Sequence, residues 1–467
     1  MEPIIKNKAK LLEVGDVDSR RVVLDITERA IARLNAGRRI KSILRRQGSV
    51  VTIGEKQWDL AQKRNVYLIG AGKACNAMIM AVEEVLGDYL TDGIAIVKIL
   101  EDTDVFRKTR VFVGGHPVPN QEGLRASREI LKLIDGACDQ DLFFCVMSGG
   151  SSALMSCPVE AVTLQEEIQT TDVLLKSGAN IREINAVRRH ISQMNGGRMA
   201  QRIAKKGAEL IGFNISDSVA YGPTGDISIP WQNFSATPIG PDFTTVEDAL
   251  KVIHNYNLRD RLPQSVIRYL ENCGPEGETP KAFPGNTYYQ INTLPDSCVY
   301  AKEAAEELGI PAVVLTTFLE GEATDAGRFM AAVARQIQMY GQPVSAPCVV
   351  LSAGEVVTTI LDNQTIQGHG GPSHEMVLGF AEGARQVPGA CLLSIDSEGT
   401  DGTTLAAGGI ADSTTKSAME DKKIDLSQML RQHASHEALT AVGGAVFTGN
   451  TGTNVCDLNI MFVPRKN

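Results

Sequence analysis

Between Asp141 and Leu154 an unbroken apolar run, Leu142-Phe143-Phe144-Cys145-Val146-Met147, stops at Ser148-Gly149-Gly150-Ser151-Ser152-Ala153. A run this apolar, without polar alternation and closed by a turn signal, predicts a parallel strand buried on both faces. Such a strand leaves few folds open, because it needs neighbouring strands on each side and helices above and below. At its carboxyl end the two glycines keep side chains out of a ligand's path, and the backbone N–H groups and serine hydroxyls can wrap an anion. Open α/β sheets hold their ligands at that end. Taken alone, the same loop serves equally well as a tight turn leaving a strand.

The 467 residues exceed what one hydrophobic core ordinarily serves, so two domains are expected, and a 43% hydrophobic content can build both cores. The net charge of −9 comes without a basic block, and aromatic residues make up only 5% of the chain. Both facts argue against a nucleic-acid surface and for a small-molecule enzyme. Nine cysteines, an odd number with no Cys-x-x-Cys pair, read as reduced core residues. No segment reaches the roughly 18 apolar residues of a membrane helix, and Met1 to Lys6 carry no apolar leader core, so a soluble cytoplasmic protein is expected.

Helical periodicity predicts an amphipathic helix over Asp18 to Asn35, with Asp18 as its capping residue. Val66 to Ile69 reads as a buried strand ending at Gly70-Ala71-Gly72-Lys73, with a helix from Ala74 to Leu86 stopped by Gly87. Strands at Ile94–Ile99 and Arg110–Val113 follow, the second running into Gly114-Gly115-His116-Pro117 ahead of a helix from Gln121 to Ile134. Thr163…Glu166 and Asn180…Glu183 are capping boxes. The second opens a helix carrying Arg188, Arg189 and His190, with Ser192 and Asn195-Gly196-Gly197 after it. A strand at Glu209–Ile215 and an irregular stretch from Tyr221 to Asp242 come next. The Pro-, Gly- and Glu-rich segment 271–286 is the expected linker, dividing the chain into domains 1–270 and 287–467. In the second domain apolar runs at Ala312–Leu315, Pro347–Leu351, Ala390–Ile395 and Leu458–Val463 alternate with helices. The fold class is therefore α/β, two layered domains, with an intervening cleft as the default site.

The turn Gly70-Ala71-Gly72-Lys73-Ala74-Cys75 matches neither nucleotide fingerprint: a dinucleotide turn wants glycine where Cys75 stands, and a Walker A loop wants Ser or Thr where Ala74 stands. What remains is a lysine at the mouth of a helix, where ammonium and helix N-terminus favour phosphate or carboxylate, unless Lys73 is simply solvated. His116 closes a third strand on the same side. Of Arg188 and Arg189, one is expected to enter the cleft and the other to lie in solvent or an ion pair. In the second half, Gly370-Gly371-Pro372-Ser373-His374-Glu375 opens a helix, Asp396-Ser397-Glu398-Gly399-Thr400-Asp401 follows a buried strand, and Thr453-Asn454-Val455-Cys456-Asp457 precedes the last one. Carboxylates at strand ends suit Mg²⁺ or general-base work, though at least one of the three after the strand is expected to cap a turn.

Taken in order, these stretches resemble the glycerate 2-kinase family, also called the MOFRL family, some of whose members carry the name hydroxypyruvate reductase. The resemblance rests on Gly70–Ala74, Gly115–Pro119, Met147–Leu154, Ser177–Asn185, Val187–Ser192, Gly399–Gly402 and Thr451–Asp457. It implies a Rossmann-like N-terminal domain, a smaller C-terminal MOFRL domain, and phosphorylation of the 2-hydroxyl of glycerate, or of a related small hydroxy acid, by ATP with Mg²⁺. On this resemblance Lys73, Arg188 and Asp401 are the catalytic candidates. Gly72, His116, Ser148, Gly149, Gly150, Ser151, Ser192, Asn195, His374, Glu375 and Asn454 would contact substrate or phosphate, and Asp396 and Asp457 would hold the metal. The implied partners are a hydroxy acid and a nucleotide, with a second copy of the chain, as a homodimer, the one protein partner expected. Two departures remove cations. Asn195 stands where the family usually has lysine, and Pro372 where many members have arginine. The family's Asp…Ser-Gly-Pro-Thr region is also rearranged, with Ser216-Asp217, Tyr221–Thr224 and Ile239–Asp242 competing to match it. A lost cationic finger can cost on the order of 10³ in phosphoryl-transfer rate. The rival readings are a diverged member acting on a hydroxy or oxo acid without nucleotide, and a reductase, which Cys75 disfavours.

Overall fold

The computed structural model describes residues 3–217, 228–235, 237–360 and 367–466. Contacts divide the chain into two compact units: residues 36–216 with 225–291, and residues 1–35 with 292–467 and the short stretch beginning at Asp217.

The first unit opens with a small antiparallel sheet of β1 (Arg45–Gln47), β2 (Val50–Ile53) and β3 (Lys56–Asp59). Six further strands, β4 (Asn65–Gly72), β5 (Asp92–Val97), β6 (Thr109–Val113), β7 (Asp141–Met147), β8 (Glu209–Ile215) and β9 (Thr287–Asn292), form its main sheet in the order β6-β5-β4-β7-β8-β9. Neighbours from β6 through β8 pair in parallel. The chain works outward from β4 to one edge, then returns to β7 and works to the other, so the order reverses between β4 and β7. The apolar run read from the sequence is β7, with all seven residues buried. Phe143, Cys145 and Met147 join a core with Ile130 and Ile134 of the helix Gln121–Asp135. On the opposite face Phe144 stacks on Phe213, and Val146 lies by Gly70 and Ile79 of the helix Cys75–Leu86. Both predicted capping boxes are present, opening the helices Leu164–Leu175 and Ile181–His190.

In the second unit β10 (Ala312–Glu322), β11 (Cys348–Val357), β12 (Cys391–Asp396), β13 (Gly408–Asp412), β14 (Ala445–Val446) and β15 (Asp457–Val463) lie in the order β10-β11-β15-β12-β13-β14. Only β10 and β11 pair in parallel; the other ladders are antiparallel. Helices Ala323–Tyr340 and Pro372–Ala384 build the core on one face, and Val17–Leu34 packs with Leu294–Glu307 on the sheet as well.

Several expectations change. The first long helix begins at Val17, with Asp16 rather than Asp18 as its cap, accepting the Ser19 N–H at 3.1 Å. The chain does not divide at 271–286. Beyond that segment, β9 is still an edge strand of the first sheet, and residues 1–35 belong with the second unit. Their anchor is Arg20, 1% exposed, whose Nε lies 2.5 Å from Asp412 and whose guanidinium also donates to the Leu11 and Gly443 carbonyls. Among the described residues no helix is long and apolar enough to cross a membrane.

Candidate active site

The order reversal between β4 and β7 places two strand ends side by side, and their loops are sewn together by hydrogen bonds. The Ser148 N–H donates to the Ala71 carbonyl at 3.1 Å, the Lys73 N–H to Gly149 at 2.9 Å, and the Ala74 N–H to Ser148 Oγ at 3.0 Å. Gly72 (φ +139°) and Gly150 (φ +85°) hold backbone conformations that a side chain would strain. A Cβ at Gly150 would lie 2.9 Å from His116 Cδ2 and 3.2 Å from Lys73 Cγ. Lys73, His116 and the Ser148–Ser151 loop therefore converge, as the three strand ends suggested. The helix Cys75–Leu86 begins here without a side-chain cap, so its positive end adds to the Lys73 charge. Cys75 itself is buried, its thiol pushed up to about 12.

Farther along, several predicted contact residues turn out to be committed to the protein. Ser192 Oγ accepts from the Met194 and Asn195 N–H groups at 3.1 and 3.0 Å, forming the turn after its helix. Asn195 donates to the Ser152 carbonyl at 3.0 Å and accepts from Thr237 at 2.9 Å. The amide thus ties the helix end to the β7 loop. Arg189 is the ion-paired member of its pair, 3.0 Å from Asp242. Burial would raise Asp242, but Arg189 and the Thr244 bonds outweigh it and hold the carboxyl low. Arg188 makes no hydrogen bond or ion pair among the described residues. Burial pushes its guanidinium below the ordinary arginine value, against the pull of Glu167. Tyr221–Thr224 lies outside the described residues.

In the second unit the helix Pro372–Ala384 starts beneath Asp401, which answers the expectation that one carboxylate caps a turn. Its oxygens accept the Ser373 and His374 N–H groups at 3.2 and 2.9 Å and also bond His374 Nδ1. His374, fully buried, is followed by His436 at 3.3 Å. Glu375 is 2.9 Å from His433, with burial raising its carboxyl. Asn454 donates to Asp217 at 3.4 Å.

Asp396 and Asp457 stand directly opposite each other at one end of the sheet, with Gly354 opposite Asp457 on the other side. Ser373 Oγ reaches Asp457 at 3.5 Å. Burial, then the charges of Asp396, Asp401 and Glu355, raise Asp457 well above the usual carboxylate range. Among the described residues no group of three or more His, Cys, Asp or Glu side chains is arranged to hold a metal. The oxygen-only donor pair Asp396/Asp457 nevertheless fits Mg²⁺, which takes one or two carboxylates and keeps several waters. Ser373 and Glu355 were not foreseen; only their nearness to predicted strand and helix ends could have flagged them.

Comparison with known proteins follows the same two halves. The family described as a domain of unknown function (DUF4147) matches residues 22–271, and the MOFRL family matches 348–457. Glycerate 2-kinase of Pyrococcus horikoshii is 35% identical over 457 residues, spanning 96% of this chain and 98% of that protein. D-glycerate 2-kinase of Thermotoga maritima is 35% identical over 395 residues, spanning 85% of this chain and 90% of that protein. The crystal structure of glycerate kinase from Thermotoga maritima superposes with a TM-score of 0.78 at 32% identity, covering 95% of this chain and 99% of that one. With both halves matched in order and one relative matched nearly end to end, the chain belongs to the DUF4147–MOFRL family, the family of the glycerate 2-kinases.

Proposed function

We propose that this chain is a glycerate 2-kinase-type phosphotransferase that uses ATP and Mg²⁺ to phosphorylate the 2-hydroxyl of glycerate or a related small 2-hydroxy acid, in the cytoplasm and in the breakdown of carbon compounds. The observation that carries the reading is the gathering of Lys73, His116 and the Ser148–Ser151 loop at the point where the strand order reverses. A cation, a helix N-terminus and the loop amides of Gly149 and Gly150 in one place favour a polyanion. In this reading Lys73 and the Gly149 and Gly150 amides of the 148–151 loop neutralise phosphate or carboxylate oxygens, and Arg188, desolvated and without a hydrogen-bonded partner among the described residues, orients the acid's carboxylate. Asp396 and Asp457 would hold Mg²⁺, which when bound offsets charge on the transferred phosphoryl group. Asp401 acts at one remove, fixing the helix start that carries Ser373 and His374.

A coupled assay with ATP, Mg²⁺ and a panel of three- to five-carbon hydroxy acids tests the reading. Phosphorylation of glycerate is expected, with Arg188→Met raising KM for the acid at least tenfold. If no acid is phosphorylated and ATP gives no thermal shift, the kinase reading fails.

The embedding of Asn195 between Ser152 and Thr237 favours, as a second reading, a diverged member that handles a hydroxy or oxo acid without nucleotide. Under that reading, Asn195→Lys combined with Pro372→Arg creates ATP turnover where the unmodified chain has none. A reductase is disfavoured by Cys75, which fills the place of the third turn glycine, and NADPH oxidation with hydroxypyruvate would revive it.

A further inference from the structure

One sheet row behind the carboxylates lies a second polar row. In register across the three central strands of the second sheet stand Ser352 on β11, Asn459 on β15 and Ser394 on β12. All three are 0% exposed, and among the described residues Ser352 Oγ, Ser394 Oγ and both Asn459 side-chain atoms, Oδ1 and Nδ2, have no hydrogen-bond partner. Strand alternation puts Asn459 on the same face as Asp457, two residues away, and Ser394 on the same face as Asp396. The next row inward is Val350, Met461 and Leu392, packed in the core with Met376 and Val377 of the helix Pro372–Ala384. Gly409, beside Ser394, faces Val377 as well, so the polar row sits under the first turns of that helix.

An apolar core gains nothing from three adjacent orphaned polar groups, and each buried group without a partner is costly. No direct bond joins Asn459 to the Asp457 carboxylate among the described residues, and two residues along a strand span about 6.6 Å, a separation that one bridging water can close. Mg²⁺ held by one or two carboxylates retains several waters, and those waters need donors and acceptors fixed by the protein. An amide flanked by two hydroxyls supplies both kinds.

We propose that Ser352, Asn459 and Ser394 form the inner wall of a hydrated divalent-cation site, with Asn459 the positioning residue that holds the waters between the polar row and the Asp396/Asp457 carboxylates. This rests on the reading that Asp396 and Asp457 take the divalent ion. It differs from an ordinary core substitution in what it predicts for metal against fold. Replacing Asn459 with leucine removes the orphaned amide at similar volume, so the metal-free protein keeps or raises its melting temperature while its hold on metal weakens.

The test is Mn²⁺ titration of the full-length, nucleotide-free protein followed by the electron paramagnetic resonance of free Mn²⁺, with melting curves in chelator. Asn459→Leu is expected to weaken Mn²⁺ binding at least tenfold, the usual scale for an outer-shell partner, without lowering the metal-free melting temperature. The milder double variant Ser352→Ala with Ser394→Ala is expected to weaken binding about tenfold, the low end of that scale, an outcome that stands if the leucine variant does not fold. Equal Mn²⁺ affinity in all three proteins overturns the proposal and leaves the carboxylate site standing. An unmodified protein that turns over ATP yet binds no Mn²⁺, with the same result in Asp457→Asn, overturns the carboxylate site and this inner wall together.

Discussion

The crowding at Gly150 can be separated from its backbone strain by a matched pair of substitutions. Gly150 and Gly178 hold nearly the same left-handed conformation, φ +85° and +84°. A Cβ at Gly178 meets nothing within 4 Å, whereas at Gly150 it lies 2.9 Å from the His116 ring and 3.2 Å from the Lys73 stem. Gly178→Ala therefore costs only the left-handed strain, roughly 1–2 kcal/mol. Gly150→Ala carries that strain and an overpacking term of about 1–3 kcal/mol, because the ring and the lysine stem have to move. At about 2–4 °C per kcal/mol for a unit of this size, Gly178→Ala should melt about 2–8 °C below the parent and Gly150→Ala about 4–20 °C below it. The activities should separate more sharply. A displacement of Lys73 by about 1 Å is worth about 100-fold in rate, so Gly150→Ala should lose about two orders of magnitude in kcat/KM for hydroxy-acid phosphorylation, with Gly178→Ala within about twofold of the parent. Paired calorimetry and coupled kinetics decide it. Equal losses in both variants, in both measurements, would show that Gly150, His116 and Lys73 do not share one crowded space.

Arg20→Ala strands a buried Asp412 carboxylate and should cost about 3–5 kcal/mol in urea unfolding; a loss under 1 kcal/mol would contradict the anchoring role given to that pair. Burial would raise Asp412, but Arg20 and the Thr414 bonds outweigh it and hold the carboxyl low, so its contribution is present above about pH 4 and fades as pH falls through the folded value. Acid unfolding of the parent should therefore begin at lower pH than that of Arg20→Ala. Glu167 has the opposite sign: burial raises it against its Ser156 bond and the Arg188 charge, so its contribution is largest below about pH 4.5 and is lost as pH rises. Melting temperatures across pH 4 to 8 should fall more steeply for the parent than for Glu167→Gln, and parallel curves would refute the assignment. Cys75, with its thiol pushed up to about 12 and no exposed surface, should resist iodoacetamide at pH 8 under conditions that leave the fold intact; inactivation with labelling at Cys75 would refute its burial.

Local signals carried much of the architecture into the sequence. The capping boxes at Thr163 and Asn180 announce helix starts because a side chain and a backbone amide satisfy each other within four residues, with no help from the rest of the fold. β7 is legible because burial on both faces removes every polar position. The strands β1, β2 and β3 escape notice because they are three or four residues long, too short to leave a run to read. β9 is hidden behind a turn-rich stretch, and β13 by its paired glycines Gly408-Gly409. The convergence of Lys73, His116 and Gly150 follows from strand ends and could be foreseen. The occupation of Asn195 by Ser152 and Thr237, or of Asp401 by a helix start, depends on partners tens of residues away. The inner polar row did leave a trace: Ser352, Ser394 and Asn459 are each a lone polar residue inside an otherwise apolar strand segment.

The membership of residues 1–35 in the second unit has a consequence for synthesis on the ribosome. The helix Val17–Leu34 emerges long before the strands and the helix Leu294–Glu307 that cover its apolar stripe. The first unit, complete once residue 291 has left the exit tunnel, can close while that leading helix still waits. For most of translation the nascent protein therefore trails an unsheltered amphipathic segment, a natural holding point for a chaperone and a place where premature termination leaves a product prone to aggregate.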